Sequence, residues 1–191
     1  MSGKEPGIVR LGLVLAAFAS AACVMLAFVY AGTKDLIEVN QEKDLANALA
    51  EFFPGAGSPR EITGIQSPDP SVTIEKQYEV FQGEKTAGIA LQVSRGSYGG
   101  PIKMLVGVSA GNIIMGVKIL EHKDTPGLGA KAAVPSYTGQ FSGKKAEDPF
   151  EVTGINADVD AITAATITSR AVAGAVRAAG RAAAAYMGGS R

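Results

Sequence analysis

The chain has 191 residues, with 18 basic and 18 acidic side chains, one histidine and one cysteine. Balanced charge leaves no basic field to collect nucleic acid, and no interleaved Arg and aromatic platform is present, so nucleic-acid partners are excluded from the reading. A lone His122 and a lone Cys23 supply neither a zinc or iron–sulfur ligand set nor an intrachain disulfide, so no metal site is expected; the length suits one well-cored domain plus an appendage.

Residues 11–33 carry no charged side chain, enough to cross a hydrocarbon core about 30 Å thick. The Leu, Val and Phe side chains there, each worth about −0.3 to −0.6 kcal/mol near a span's centre, sum to roughly −3 to −5 kcal/mol for insertion. Lys4, Arg10 and the amino terminus precede the span, whereas Lys34 and Lys43 follow it among acidic residues. That distribution, with the short leading segment, predicts a single-pass protein with its N-terminus in the cytoplasm and the remainder outside. A cleaved signal peptide would have a shorter apolar core, about 7 to 15 residues, although Val29-Tyr30-Ala31 has the small-residue form of a cleavage site. A lipid anchor at Cys23 is disfavoured by Ser20, which stands where that signal has a branched aliphatic residue, and by the apolar run continuing past the cysteine.

The pattern over 35–53 predicts a helix leaving the membrane, with Leu36, Val39, Leu45, Leu49 and Phe52 in a stripe that should pack on the domain, stopped by Pro54-Gly55. Residues 55–70, rich in Gly, Pro and Ser, read as loop. Strand patterns then recur at 74–81, 86–93, 102–109 and 113–120, with turns at Gln82-Gly83 and Ala110-Gly111-Asn112, and a later strand is expected near 150–154. Connections this short require antiparallel pairing, because parallel strands need a crossover of about a dozen residues. Gly-rich junctions lie at Gly96-Ser97-Tyr98-Gly99-Gly100-Pro101 and Thr125-Pro126-Gly127-Leu128-Gly129; neither matches a phosphate loop or a dinucleotide fingerprint, and either alone makes an ordinary turn. The Ala-rich stretch 167–187 should be helical, since alanine has the best intrinsic propensity, and Gly188-Gly189 ends it. The expected organisation is 1–34, a short N-terminus and transmembrane helix; 35–70, a membrane-proximal helix and linker; and 71–191, a domain of α+β class with an antiparallel sheet packed by helices.

The helix is preceded by Asp160-Ala161-Ile162-Thr163-Ala164-Ala165-Thr166-Ile167-Thr168-Ser169, a run dense in hydroxyls. A helix start offers unpaired backbone NH groups and a partial positive charge, which suit a phosphate. A simple cap at Thr163 or Thr166 explains the same letters without any ligand.

Three segments together resemble one family. Asp160-Ala-Ile-Thr163-Ala164-Ala165-Thr166 is similar to the motif Asp-x-x-Ser/Thr-Gly-Ala-Thr, at which a flavin transferase joins FMN to the last threonine by a phosphoester. His122-Lys123-Asp124-Thr125-Pro126-Gly127-Leu128-Gly129 resembles the His-x-Glu-Thr-Pro-Gly-Leu-Gly segment of the same FMN-binding domains, and Tyr98-Gly99-Gly100-Pro101-Ile102 is also similar to theirs. Ala164 stands where the motif has Gly, and Asp124 where the segment has Glu. One membrane helix before this domain is the layout of the G-subunit family of Rnf-type electron-transport complexes; the C-subunit family of sodium-pumping NADH:quinone reductases shares the domain but is longer.

This resemblance implies FMN covalently attached at Thr166, with Thr163 and Thr168 on the phosphate and Thr125, Gly127, Leu128 and Gly129 along the ring. Asp124 and Ala165 belong to the same implied cofactor-binding set. It also implies a flavin transferase for maturation, the other membrane subunits of an Rnf-type complex as partners, a lipid bilayer around the span, and an FMN domain on the periplasmic side of the inner membrane. No catalytic triad is then needed, because the flavin carries the electrons. His122 reads equally as a flavin neighbour or a solvated loop residue. The alternatives are a membrane-tethered structural or ligand-binding domain with no redox role, and the FMN subunit of a sodium-pumping quinone reductase.

Overall fold

The computed structural model describes residues 7–152 and 157–189, without the side chains of 35, 37, 38 and 41. A first helix, α1, runs Ile8–Phe52. The chain divides into two compact units, Met1–Lys43 and Asp44–Arg191.

In the first unit the stretch Ile8–Lys34, 27 residues, is long and apolar enough to cross a membrane by length and composition. Its Leu, Val and Phe side chains are exposed, as they would be to lipid. Leu36 and Val39, expected to pack on the domain, are exposed as well.

The second unit is an α+β domain. Its sheet is a five-stranded meander in the order β1-β2-β3-β4-β5, formed by Arg60–Ile62, Val72–Gln82, Lys85–Gly96, Pro101–Ser109 and Ile114–Glu121, with every neighbouring pair antiparallel. Hairpin turns fall where expected, at Gly83 and at Asn112, which adopts φ 58°. Two expectations are corrected. Residues 55–70 are not all loop, because β1 pairs with β2 there. The strand expected at 150–154 is absent over residues 150–152, while 153 and 154 lie outside the described residues. Phe150 has φ 48°, which no extended strand can accommodate, and it is buried against Phe141 with ring centroids 5.6 Å apart. Burial of the aromatic ring decides the local conformation there.

Both faces of the sheet are covered. On one face Ile89, Leu91 and Val93 of β3 and Ile102, Met104, Val106 and Val108 of β4 meet the last helix, α3, Thr166–Gly189. That helix is buried nearly all round from Ala171 to Ala184, because a segment carrying Phe141, Ala146, Phe150, Val159 and Ile162 closes its other side. Alanine makes this possible: its short side chain lets sheet and loop approach the helix axis closely.

On the opposite face the end of α1 docks through Ala48, Leu49, Phe52 and Phe53 onto Tyr78, Val80, Ala90 and Leu105. The Phe52 ring sits over the paired Gly107 and Gly116, where a Cβ on Gly107 would lie 2.8 Å from the ring and one on Gly116 would fall inside it. Phe52→Ala should therefore cost about 3–5 kcal/mol, and Gly116→Ala about 1–3 kcal/mol through overpacking. Thermal unfolding of the detergent-solubilised chain would show both as lowered midpoints; an unchanged midpoint for Phe52→Ala would contradict the packing.

Candidate functional site

The three sequence segments singled out above converge on one carboxylate. Asp124 follows β5, is 5% exposed, and accepts a hydrogen bond from Ser97 Oγ at 2.6 Å and another from the Gly99 backbone NH at 2.5 Å. The Thr168 hydroxyl, in the first turn of α3, also reaches it. Close backbone approach is part of the design. A Cβ on Gly99 would collide with the Lys123 carbonyl, and one on Gly129 would stand 2.6 Å from Asp124 Cβ and 2.9 Å from Thr168 Oγ1. Two loops and a helix start are thus pinned at one buried point.

Burial opposes ionisation of Asp124. The bonds from Ser97, Gly99 and Thr168, with the field of His122, outweigh it and hold the carboxyl below its ordinary value. Thr168 is accordingly turned inward, 1% exposed, rather than out toward solvent. His122 is half-buried, and its Nδ1 is buried with no hydrogen-bond partner among the described residues.

A second buried tie shapes the hydroxyl run. Ser169, 0% exposed, accepts from the Ile162 backbone NH at 2.9 Å and donates to the Ala165 carbonyl at 3.0 Å. Its own carbonyl accepts from Tyr137 Oη at 3.1 Å. Burial pushes the Tyr137 phenol up to about 12, so it stays protonated and donates. Tyr137 stands in the short helix α2, Pro135–Thr138, and its ring meets Phe141 edge-on at 5.8 Å. Gln140 braces the other end of the run by accepting from the Asp160 backbone NH at 2.8 Å. Nothing in sequence spacing signals Tyr137, Gln140 or Ser97, which act across long separations.

Between these ties the chain turns outward. Ala164 adopts φ 63°, a left-handed conformation that glycine takes freely and alanine does not. The Ala165 NH closes the turn on the Ile162 carbonyl at 2.9 Å, and Ala165 itself is buried. Thr163 is exposed and Thr166 half-buried, and among the described residues neither hydroxyl takes part in the hydrogen-bond network. Among the described residues neither threonine hydroxyl caps the helix, and Ser169 instead folds its hydroxyl back onto the Ile162 NH and the Ala165 carbonyl.

Thr125, Pro126, Gly127 and Leu128 are exposed, whereas Gly129 is buried against Asp124 and Thr168. Next to the residues gathered around Asp124 lie exposed apolar ones: Tyr98 between Ser97 and Gly99, Leu128 before Gly129, and Ile167 before Thr168, at 73%, 42% and 58% exposure. The arrangement offers a hydroxyl, a helix start and an apolar rim side by side. Among the described residues no group of His, Cys, Asp and Glu side chains is placed to hold a metal ion.

Comparison with known proteins gives matches along most of the chain. Residues 97–180 match the FMN-binding domain, and residues 1–52 match the RnfG N-terminal region. The G subunit of the ion-translocating oxidoreductase complex of Aliivibrio fischeri is 34% identical over 178 residues, covering 86% of this chain and 85% of that protein. The G subunit of the same kind of complex in Methanosarcina acetivorans is 28% identical over 174 residues, covering 90% of this chain and 92% of its own. Among solved structures, the C subunit of the Na(+)-translocating NADH-quinone reductase of Parabacteroides distasonis aligns with a TM-score of 0.47 at 21% identity, over 59% of this chain and 61% of that one.

Two outcomes follow from the geometry. Ala164→Gly should raise stability by about 1 kcal/mol, because the left-handed cost to alanine disappears; an unchanged or lower unfolding midpoint would contradict the strained turn. The carboxyl of Asp124 lies below its ordinary 3.8 when folded, so its contribution is complete above that pH and is lost as pH falls through the folded value. Asp124→Asn should remove about 1.5–3 kcal/mol near neutral pH and flatten the decline in stability below about pH 4, read by chemical denaturation across a pH series.

Proposed function

The chain belongs to the G-subunit family of ion-translocating oxidoreductase complexes, and we propose on that premise that it serves as the FMN-bearing electron carrier of an Rnf-type complex. The observation that carries the site reading is Thr166: a half-buried residue whose hydroxyl lies outside the hydrogen-bond network of the described residues, at the start of a long helix, in the position of the family's acceptor threonine. FMN, when bound, supplies the redox chemistry, which explains why the chain needs no acid, base or nucleophile of its own.

In this reading the flavin is held covalently, through a phosphoester to Thr166 Oγ. The N-terminus of α3 would then face the remaining phosphate charge, and its backbone NH groups and helix dipole would favour that charge by roughly 0.3–1 kcal/mol. Thr163, exposed on the preceding turn, is the hydroxyl available to a phosphate oxygen. Thr125, Gly127 and Leu128, with Tyr98 and Ile167, are exposed and are the residues that would face the flavin. Ala165 and Gly129 are buried and contribute close packing beneath that surface.

The apolar stretch of α1 anchors the protein in the inner membrane by a single pass. Lys4 and Arg10 before the span keep the N-terminus cytoplasmic, which puts the FMN domain on the periplasmic side. Residues 11–33 contain no charged side chain, so this one span by itself offers no charged path for an ion. Coexpression with a flavin transferase should give a protein that keeps yellow-green flavin fluorescence after denaturing electrophoresis, and Thr166→Val should abolish it. A fluorescent Thr166→Val band would overturn the acceptor assignment.

A further inference from the structure

We propose that Asp124 is the positioning residue for flavin attachment: its buried carboxylate locks the two loops and the first turn of α3 in the arrangement that presents Thr166 Oγ outward. The inference rests on the covalent-FMN reading above. Asp124 and Thr168 then stand apart from the residues that would touch the flavin.

Asp124 occupies the middle of a motif segment whose next four residues are exposed, yet it is itself 5% exposed and bonded to Ser97 and Gly99. A carboxylate so enclosed has no free face for a cofactor arriving from solvent. Its reach extends instead to the helix: the Thr168 hydroxyl bonds the Asp124 carboxyl, and a Cβ on Gly129 would stand 2.9 Å from both Asp124 Cγ and Thr168 Oγ1, so glycine there leaves the two groups room to meet. At 3.6 residues per turn, residues two apart point about 200° from each other. Holding Thr168 inward, at 1% exposure, therefore points Thr166 away from Asp124, toward the side where it is half-buried rather than enclosed. Releasing Thr168 would let the first turn of α3 rotate or fray, and the acceptor hydroxyl would lose its direction.

Direction matters for the bond to be made. The Thr166 hydroxyl attacks the flavin-side phosphorus of a flavin phosphoanhydride, the class to which FAD belongs. The Thr166 Oγ–P bond forms, the P–O–P bond breaks, the nucleotide monophosphate leaves and the hydroxyl proton is released, with no change of oxidation state. Displacement at phosphorus needs near-linear approach, and a misplacement of about 1 Å can cost on the order of 100-fold.

The test is an attachment assay on the full-length, detergent-solubilised chain, with purified flavin transferase and FAD, read by intact mass and in-gel fluorescence. Asp124→Asn keeps the volume of the side chain but puts an amide donor against the Ser97 and Gly99 donors. It should lower kcat for labelling about 10- to 100-fold at saturating chain and FAD, with the KM for FAD unchanged. Thr168→Val should act in the same direction, and the double variant should lose no more than the worse single one, since both remove the same restraint. Ser97→Ala, a milder loss from the opposite side of the carboxylate, should lower kcat as well and decides the matter if Asp124→Asn does not fold. Phe52→Ala, which weakens the far face of the sheet, should label at the wild-type kcat below its unfolding midpoint, so that loss of stability alone is not the cause. Wild-type kcat in folded Asp124→Asn or in Ser97→Ala would overturn the positioning role while leaving the acceptor assignment intact. A wild-type chain that takes up no flavin would instead overturn the reading on which the proposal rests.

Discussion

One buried carboxylate ties together the loops at one end of this domain's sheet. Asp124 takes donors from the β3–β4 loop and lies against the first turn of the final helix, so three pieces of chain far apart in sequence share a single charged anchor. A buried charge without partners is expensive, whereas one that accepts several hydrogen bonds fixes its donors in place. The close approaches at Gly99 and Gly129 leave no room for the loops to slip past it. What results is a rigid floor whose exposed flanks carry Tyr98, Leu128, Ile167 and, at the helix start, Thr166.

That floor is supported from beneath by apolar packing of two kinds. Alanine on α3 allows sheet and loop to close on the helix from both sides, which is why its buried face extends almost around the axis. The chain of rings from Phe150 through Phe141 to Tyr137 then links the core to the Ser169 carbonyl. On the other side of the sheet, Phe52 fills the space above two paired glycines. The central strands are thereby held from both faces, and the loops at their ends inherit that rigidity.

Much of the fold was legible because it depends on local signals. Alternating apolar residues, short turns at Gly83 and Asn112, and the Ala-rich stretch before Gly188 announce the β2–β5 meander and the last helix directly. The edge strand β1 escaped, since a three-residue strand among Gly and Pro has no periodicity to detect, and Phe150 misled, because a β-favouring side chain was placed by core burial in a positive-φ turn. Within the site, the letters around Asp160 indicated a phosphate-friendly helix start but not the use of each hydroxyl. Thr168 and Ser169 are turned inward by contacts with Asp124, Ile162 and Tyr137, none of which is encoded in local spacing. Ala164 is the reverse case: it stands where the resembled motif has glycine, and this chain makes a left-handed turn there with alanine.

The central proposal is that Thr166, among the clustered hydroxyls, is the one that accepts the flavin phosphate. Trypsin should release residues 146–170 as one peptide, because no Lys or Arg lies between Lys145 and Arg170. Fragmentation mass spectrometry of that peptide, from protein matured with a flavin transferase, should find the added flavin phosphate on Thr166 only. An unmodified peptide, or the same added mass on Thr163, Thr168 or Ser169, would contradict the account.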